Sequence, residues 1–213
     1  MPEYFRDLDK PTLLQWLKSG RDKWNPFRAR KADYALDLTG SDLRGLNLSN
    51  YDLSSVNLSD SKMKGVNLLY SNLSWADLSF SDLENAILGS ADLSHAKLMD
   101  ADLEGADLTY AKLDSANLSH ADLENADFEG ADLTDAQLLG ANLTSANLTD
   151  AVVARAGFKR AKFTQTSLAG VDLSSVRIFG LDGAKFKKID LSETSMNNDT
   201  LHRSKWDQSM EDD

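Results

Sequence analysis

The chain has 213 residues, no cysteine, and 34 acidic against 23 basic side chains, for a formal net charge of −11. Without cysteine neither a disulfide framework nor a Cys-ligated zinc site is available, and the acidic balance disfavours direct nucleic-acid binding, whose phosphate contacts need a basic face. No apolar run approaches the roughly 18 residues of a membrane span, and no basic-then-apolar leader is evident, so the expectation is a cytoplasmic chain with no membrane association.

Residues 1–35 stand outside the pattern that governs the rest. Asp9, Lys10 and Pro11 read as a helix start, Leu13, Leu14, Trp16 and Leu17 supply an apolar face, and Gly20 is placed to stop it. This predicts a helix over residues 11–19. Trp24, Asn25, Pro26 and Phe27 then predict a turn carrying two large aromatics. A stack of identical layers would expose an apolar end layer and unpaired backbone, so this segment is expected to be an N-terminal cap.

From Leu38 a central apolar residue recurs at every fifth position through Ile178. Residues 76–150 hold fifteen such blocks with no insertion and no proline. Two residues before each central position lies a second inward position, which is alanine without interruption from Ala86 to Ala161. It widens to Leu36, Leu46, Tyr51, Val56 and Val66 at one end, and to Thr166, Val171 and Val176 at the other. Neither simple period explains this pattern. A strand would put successive central residues on opposite faces, and a helix would walk them around its axis. A corner in every block solves the problem. Asp or Asn before the central residue and Ser or Thr after it are turn residues whose side chains bond nearby backbone groups.

Tandem A[DN]LXX blocks resemble the pentapeptide-repeat proteins, and the likeness covers residues 36–196. Trp16, Gly20, Trp24, Asn25 and Arg28 also resemble the lead-in of many bacterial members. The resemblance implies an all-β solenoid: a right-handed quadrilateral parallel β-helix of about eight coils, four blocks to a coil, with a short α-helical N-terminal cap and a C-terminal cap. Between Ile178 and Phe186 the spacing carries three extra residues, which predicts a small loop near residues 179–183. For the C-terminal cap or tail, residues 197–213, two readings stay open. Leu201 and Trp206 keep the five-residue spacing, while Asp199 could equally begin a short helix.

No catalytic, cofactor or metal constellation is evident. His95, His120 and His202 lack metal-ligand spacing, and the seven Asn-X-Ser/Thr matches follow from the repeat itself. Charge is the sharper feature. Residues 76–150 carry 16 acidic and 2 basic side chains, and residues 151–190 carry 8 basic and 3 acidic. At four blocks per coil, Asp82, Asp102 and Asp122 should stack, with Glu84, Glu104 and Glu124 beside them and Asp107, Asp127 and Glu129 on the following face. Either the aspartates are kept for their backbone bonds, or the columns form a charged contact surface. The resemblance implies a precedent for the second reading: the members conferring quinolone resistance, and their mycobacterial relatives, mimic DNA towards DNA gyrase. This chain departs from them in having the N-terminal segment, no long loops interrupting its coils and no clear C-terminal dimerisation helix.

A second surface feature is aromatic. Tyr70, Trp75 and Phe80, with Leu69, Ile87 and Tyr110, take outward positions, either to contact a partner or to receive Trp16, Trp24 and Phe27. Arg155, Lys159, Arg160, Lys162, Arg177, Lys185, Lys187 and Lys188 form a basic group able to meet the acidic middle of another copy. The expected function is a non-enzymatic rigid scaffold for a protein partner, with no cofactor. The alternative is an acidic DNA mimic that binds DNA gyrase, another topoisomerase or another DNA-binding protein. Homo-oligomers would form through the end coils or the acidic and basic surfaces.

Overall fold

One block shows how the chain turns. Leu83 is fully buried, and its N–H donates to the Asp102 carbonyl of the next layer at 2.7 Å. The Ala86 N–H then closes a tight turn on the Leu83 carbonyl at 2.9 Å. Asn85, the third residue of that turn, has φ of 56°, the left-handed value that such a turn demands. The Glu84 N–H donates to Asp82 Oδ1 at 3.2 Å, so the predicted side-chain-to-backbone bond forms two residues along. The following block starts with Ala86 pointing inward.

The computed structural model describes residues 9–30, 36–176, 181, 184–187, 194 and 205–206. Parallel bridges pair each second block position with the residue 20 further on, unbroken from Asp37↔Asn57 to Asn147↔Ser167. Four blocks therefore make one coil, and residues 36–175 make seven coils. We number the coils from residue 36 and the four faces I to IV in chain order. Face I starts with residues 36–40, face II with 41–45, face III with 46–50 and face IV with 51–55.

The interior is a solid stack of the two inward columns of each face. Leu38, Leu58, Leu78, Leu98, Leu118, Leu138 and Phe158 lie one above another with no exposure. Each fully buried leucine contributes about 1.5–3 kcal/mol. The alanines alternate with these large residues because the cross-section leaves room for only one long side chain per side. At the C-terminal end Phe158 and Phe163 meet edge to face, 5.3 Å between centroids.

The N-terminal cap is two helices, α1 (Lys10–Lys18) and α2 (Arg21–Arg30). Asp9 caps α1 by accepting from the Thr12 N–H at 2.9 Å. The expected aromatic turn is instead helical, with Pro26 inside α2. Packing overrides the local penalty: Trp24, Phe27 and Arg28 are buried, and Trp24, Arg28, Asn25 and Lys10 bond to the open edge of coil 1. The Trp24 indole N–H donates to the Asp52 carbonyl at 2.7 Å. Arg28 Nη2 donates to the Ser54 carbonyl at 2.5 Å, Asn25 Oδ1 accepts the Asp52 N–H at 2.9 Å, and Lys10 Nζ reaches the Thr39 carbonyl. In the interior coils the layer before supplies these partners. Burial pushes the Arg28 guanidinium below its ordinary value, against the pull of Asp52.

Near the other end β1 (Lys162–Thr164), β2 (Lys185–Lys187) and β3 (Lys205–Trp206) form a parallel three-stranded sheet. β1 pairs with β2 at Phe163↔Phe186, 23 residues apart, whereas β2 and β3 return to 20 at Phe186↔Trp206. Three extra residues therefore lie between Phe163 and Phe186. The central residue Ile178, most of the predicted loop at 179–183 and the rest of the tail fall outside the described residues. Where the tail is described it extends the coil at Lys205–Trp206.

Candidate interaction surface

Face II carries the predicted acidic columns. Backbone bridges stack Lys62, Asp82, Asp102, Asp122, Asn142 and Lys162 in one file, and Lys64, Glu84, Glu104 and Glu124 run beside it at the same 20-residue offset. Asp82, Asp102 and Asp122 each accept the backbone N–H two residues on through Oδ1, at 3.1–3.2 Å. These aspartates therefore hold their turns. In other blocks an asparagine makes the same bond, as Asn117 does to Ser119 at 3.1 Å, so the negative charge is not needed for it. The glutamate N–H groups supply the other half of these bonds, while the glutamate carboxylates have no part in the turn.

Both ends of this ladder are compensated. At one edge Lys64 pairs with Glu84, and contact with that carboxylate raises the Lys64 ammonium above its ordinary value. At the other, Asn142 Nδ2 donates to Asp122 Oδ1 at 3.0 Å and to Glu124 Oε2 at 3.3 Å. Asp102 and Glu104 lie between, both exposed. Among the described residues Glu104 has neither a hydrogen bond to its carboxylate nor an ion pair.

Face III continues the acidic field. Asp107 and Asp127 are bridged neighbours, Glu129 is beside them, and Asn147 Nδ2 donates to Asp127 Oδ1 at 3.0 Å. No Lys or Arg occurs between Lys112 and Arg155. Beyond that gap charge reverses: Arg155 forms a bidentate pair with Asp135, Nη2 to Oδ2 at 2.5 Å, and Lys159, Arg160, Lys162 and Lys185 are exposed. Arg177, Lys187 and Lys188 of the predicted basic group lie outside the residues whose side chains are described.

The aromatic residues do not form one patch. Tyr70, Trp75 and Phe80 occupy three successive corners, after faces III, IV and I, because all three are fifth positions of consecutive blocks. They stay 60%, 62% and 56% exposed. The cap does not cover them: Trp16 and Trp24 pack on Phe27, with centroids 5.0 and 5.7 Å apart. Each also has φ near 60°, a backbone region that costs an L residue with a bulky side chain roughly 1–2 kcal/mol. Trp75 stacks on His95 one coil further, 4.0 Å between centroids and 16° between planes. Sequence reading missed this pair, although the 20-residue offset was its signal.

Among the described residues, no three His, Cys, Asp and Glu come together as a metal-binding group, and no helix is long and apolar enough to cross a membrane. A cleft of about 550 Å³ opens between α1 and α2, lined by Gln15, Trp16, Asp22, Lys23, Phe27 and Arg30.

A family model for pentapeptide repeats matches residues 36–68, 71–110 and 111–150, in eight copies. The chain belongs to the pentapeptide-repeat family. Its fold is accordingly the right-handed quadrilateral β-helix of that family. Among solved structures it is similar to HetL, a pentapeptide-repeat protein involved in heterocyst differentiation regulation from the cyanobacterium Nostoc sp. strain PCC 7120. They share 25% identity over 88% of this chain and 84% of that one, with a TM-score of 0.51. It is also similar to the pentapeptide-repeat protein Rfr23 of the cyanobacterium Cyanothece 51142, at 27% identity, 81% and 97% coverage and a TM-score of 0.34. Full-length QnrB1, a plasmid-mediated fluoroquinolone resistance protein, aligns at 20% identity over 73% of this chain and 92% of that one, with a TM-score of 0.37. No match was found among curated protein sequences.

Proposed function

We propose that this pentapeptide-repeat rod is a non-enzymatic scaffold that presents the carboxylate ladder of face II to a basic surface on a partner protein. The observation that carries the reading is the exposed centre, Asp102 and Glu104, between edges where Lys64 pairs with Glu84 and Asn142 donates to Asp122 and Glu124. A column kept only for its turns needs the Asp side chains but not the glutamates beside them. Like charges on adjacent layers repel, and attraction to a basic partner would offset that cost.

A second reading, mimicry of DNA towards a DNA-binding protein, is favoured by charge density. Two carboxylates per layer of about 4.8 Å give one charge per roughly 2.4 Å of axis, against about 1.7 Å in duplex DNA.

Both readings are tested by immobilising the wild-type chain and a Glu84→Gln/Glu104→Gln/Glu124→Gln variant and capturing proteins from the source cell. The ladder reading expects a protein retained at low salt, released at high salt and lost from the variant. Identical capture by the two chains would sink it. Inhibition of DNA gyrase supercoiling by micromolar wild-type chain, relieved in the variant, selects the mimic; no effect on supercoiling removes gyrase as the target.

A further inference from the structure

Face III is unlike the other three. Through seven coils, from Leu46 to Gly170, its blocks contain no Lys, Arg or His, whereas faces I, II and IV all carry cations. Its large outward apolar side chains lie in coils 2 to 4. Leu69 and Tyr70 stand in coil 2, Ile87 in coil 3 and Tyr110 in coil 4, with Tyr70, Ile87 and Tyr110 exposed by 60%, 40% and 63%. Buried Gly89 lies among them. A methyl group there would come within 3.1 Å of Leu69 Cδ1 and 3.4 Å of Thr109 Oγ1, so Leu69 leans across the glycine and extends the apolar surface. Tyr110 lies down over Gly130 of the next coil. Its second half is acidic, through Asp107, Asp127, Glu129 and Asp150 in coils 4 to 6.

Tyr70 and Tyr110 stand at corners where φ is 58° and 56°, although coils 5 and 7 place Gly130 and Gly170 at the same corner of face III. Both also leave more than half of a large ring in water. Exposed aromatics held against a backbone preference, next to carboxylates without a cation on the same face, define a surface in two blocks. From Tyr70 to Asp150 they span four layers, about 19 Å.

We propose that face III is a docking site for a basic, apolar-anchored segment of a partner protein, its aliphatic or aromatic residues seated over Leu69, Ile87 and Tyr110 and its Lys or Arg residues over Asp127, Glu129 and Asp150. The apolar block supplies affinity, and the carboxylates fix direction and reject acidic competitors. The site is separate from the face II ladder and stands whether or not that ladder binds anything.

Two synthetic 14-residue peptides of one composition serve as probes against the full chain. One groups its Leu and Phe residues at one end and its Lys residues at the other; the second interleaves them. The grouped peptide is expected to bind at least tenfold more tightly. Ile87→Ser/Tyr110→Ser should weaken it at least tenfold, Asp127→Asn/Glu129→Gln should flatten its salt dependence, and the face II triple Glu→Gln variant should stay within twofold of wild type. Hydrogen-exchange footprinting of the wild-type chain, which needs no substitution, should show protection at residues 87–110. Equal binding of the two peptides, or a footprint elsewhere, overturns the proposal. So does concentration-dependent dimerisation abolished by Tyr110→Ser, which would assign the face to a second copy.

Discussion

Replacing Trp24 with alanine separates the cap from the rod. The indole is fully buried and its N–H donates to the Asp52 carbonyl at 2.7 Å. Truncating a buried tryptophan costs about 3–5 kcal/mol, with the lost hydrogen bond inside that figure. The helices it anchors have 9 and 10 residues, too short to persist in water alone. In a repeat stack each layer depends on its neighbours, so the loss should fall on the cap and coil 1. At about 1.4 kcal/mol per tenfold change, the cap should undock on the order of a hundredfold to a few thousandfold more often. Native-state hydrogen exchange reads this directly. The Leu13, Trp24 and Asp52 amides, bonded to Asp9, Gly20 and Asn25, should exchange faster by that factor. The Leu103 and Leu123 amides, bonded to the next coil at 2.7 and 2.9 Å, should keep their protection. Trp24→Phe should show a small part of the effect. Unchanged exchange in α1 and α2, or equal acceleration at Leu103, would refute this account of the cap.

Asp102→Asn should leave the melting temperature within a degree or two or raise it, because Asn makes the same turn bond elsewhere. Asp102→Ala should lower stability by about 0.5–1.5 kcal/mol through the lost Glu104 N–H bond; equal effects would deny the turn role. Ala111→Leu should destabilise by about 1–3 kcal/mol in urea unfolding, because a fully walled alanine column has no space for a longer chain. Hydrogen bonds from Arg44 hold Asp42 down at about 2, and Asp9 and Asp37 are lowered by their bonds from Thr12 and Thr39. A carboxylate lowered in the folded state stabilises above its unfolded value, near 3.8, and loses that contribution as pH falls through the folded one. Melting temperature should therefore drop between about pH 4 and pH 2, less steeply in Asp42→Asn, and an unchanged acid slope in that variant would count against the assignment.

The five-residue register was legible because Leu and Ala occupy positions where nothing else fits, and the three-residue excess showed as a break in that spacing. Other features depend on neighbours that sequence order hides. Pro26 argues locally against a helix, yet α2 forms because Trp24 and Arg28 bond coil 1. The left-handed fifth position was obscured because twenty of its occupants are not glycine; the turn imposes the conformation regardless. Tyr70, Trp75 and Phe80 look adjacent in the chain, but a corner follows each of them, so they face different ways. The face II columns were readable by counting in twenties. Their compensation by Lys64 and Asn142 was hidden, because it depends on which side-chain atoms meet across layers.

The central claim is that the negative charge of the face II carboxylates serves a partner, since the turns need the Asp side chains but not their charge. Its most direct test is the affinity of a captured partner, titrated against salt, for wild type and for a chain neutralised at Asp82, Glu84, Asp102, Glu104, Asp122 and Glu124 by Asn and Gln. The account predicts wild-type affinity that falls steeply with salt, and a neutralised chain that stays folded but binds at least tenfold more weakly with a flattened slope. Equal affinity and equal salt dependence in the two chains would contradict it.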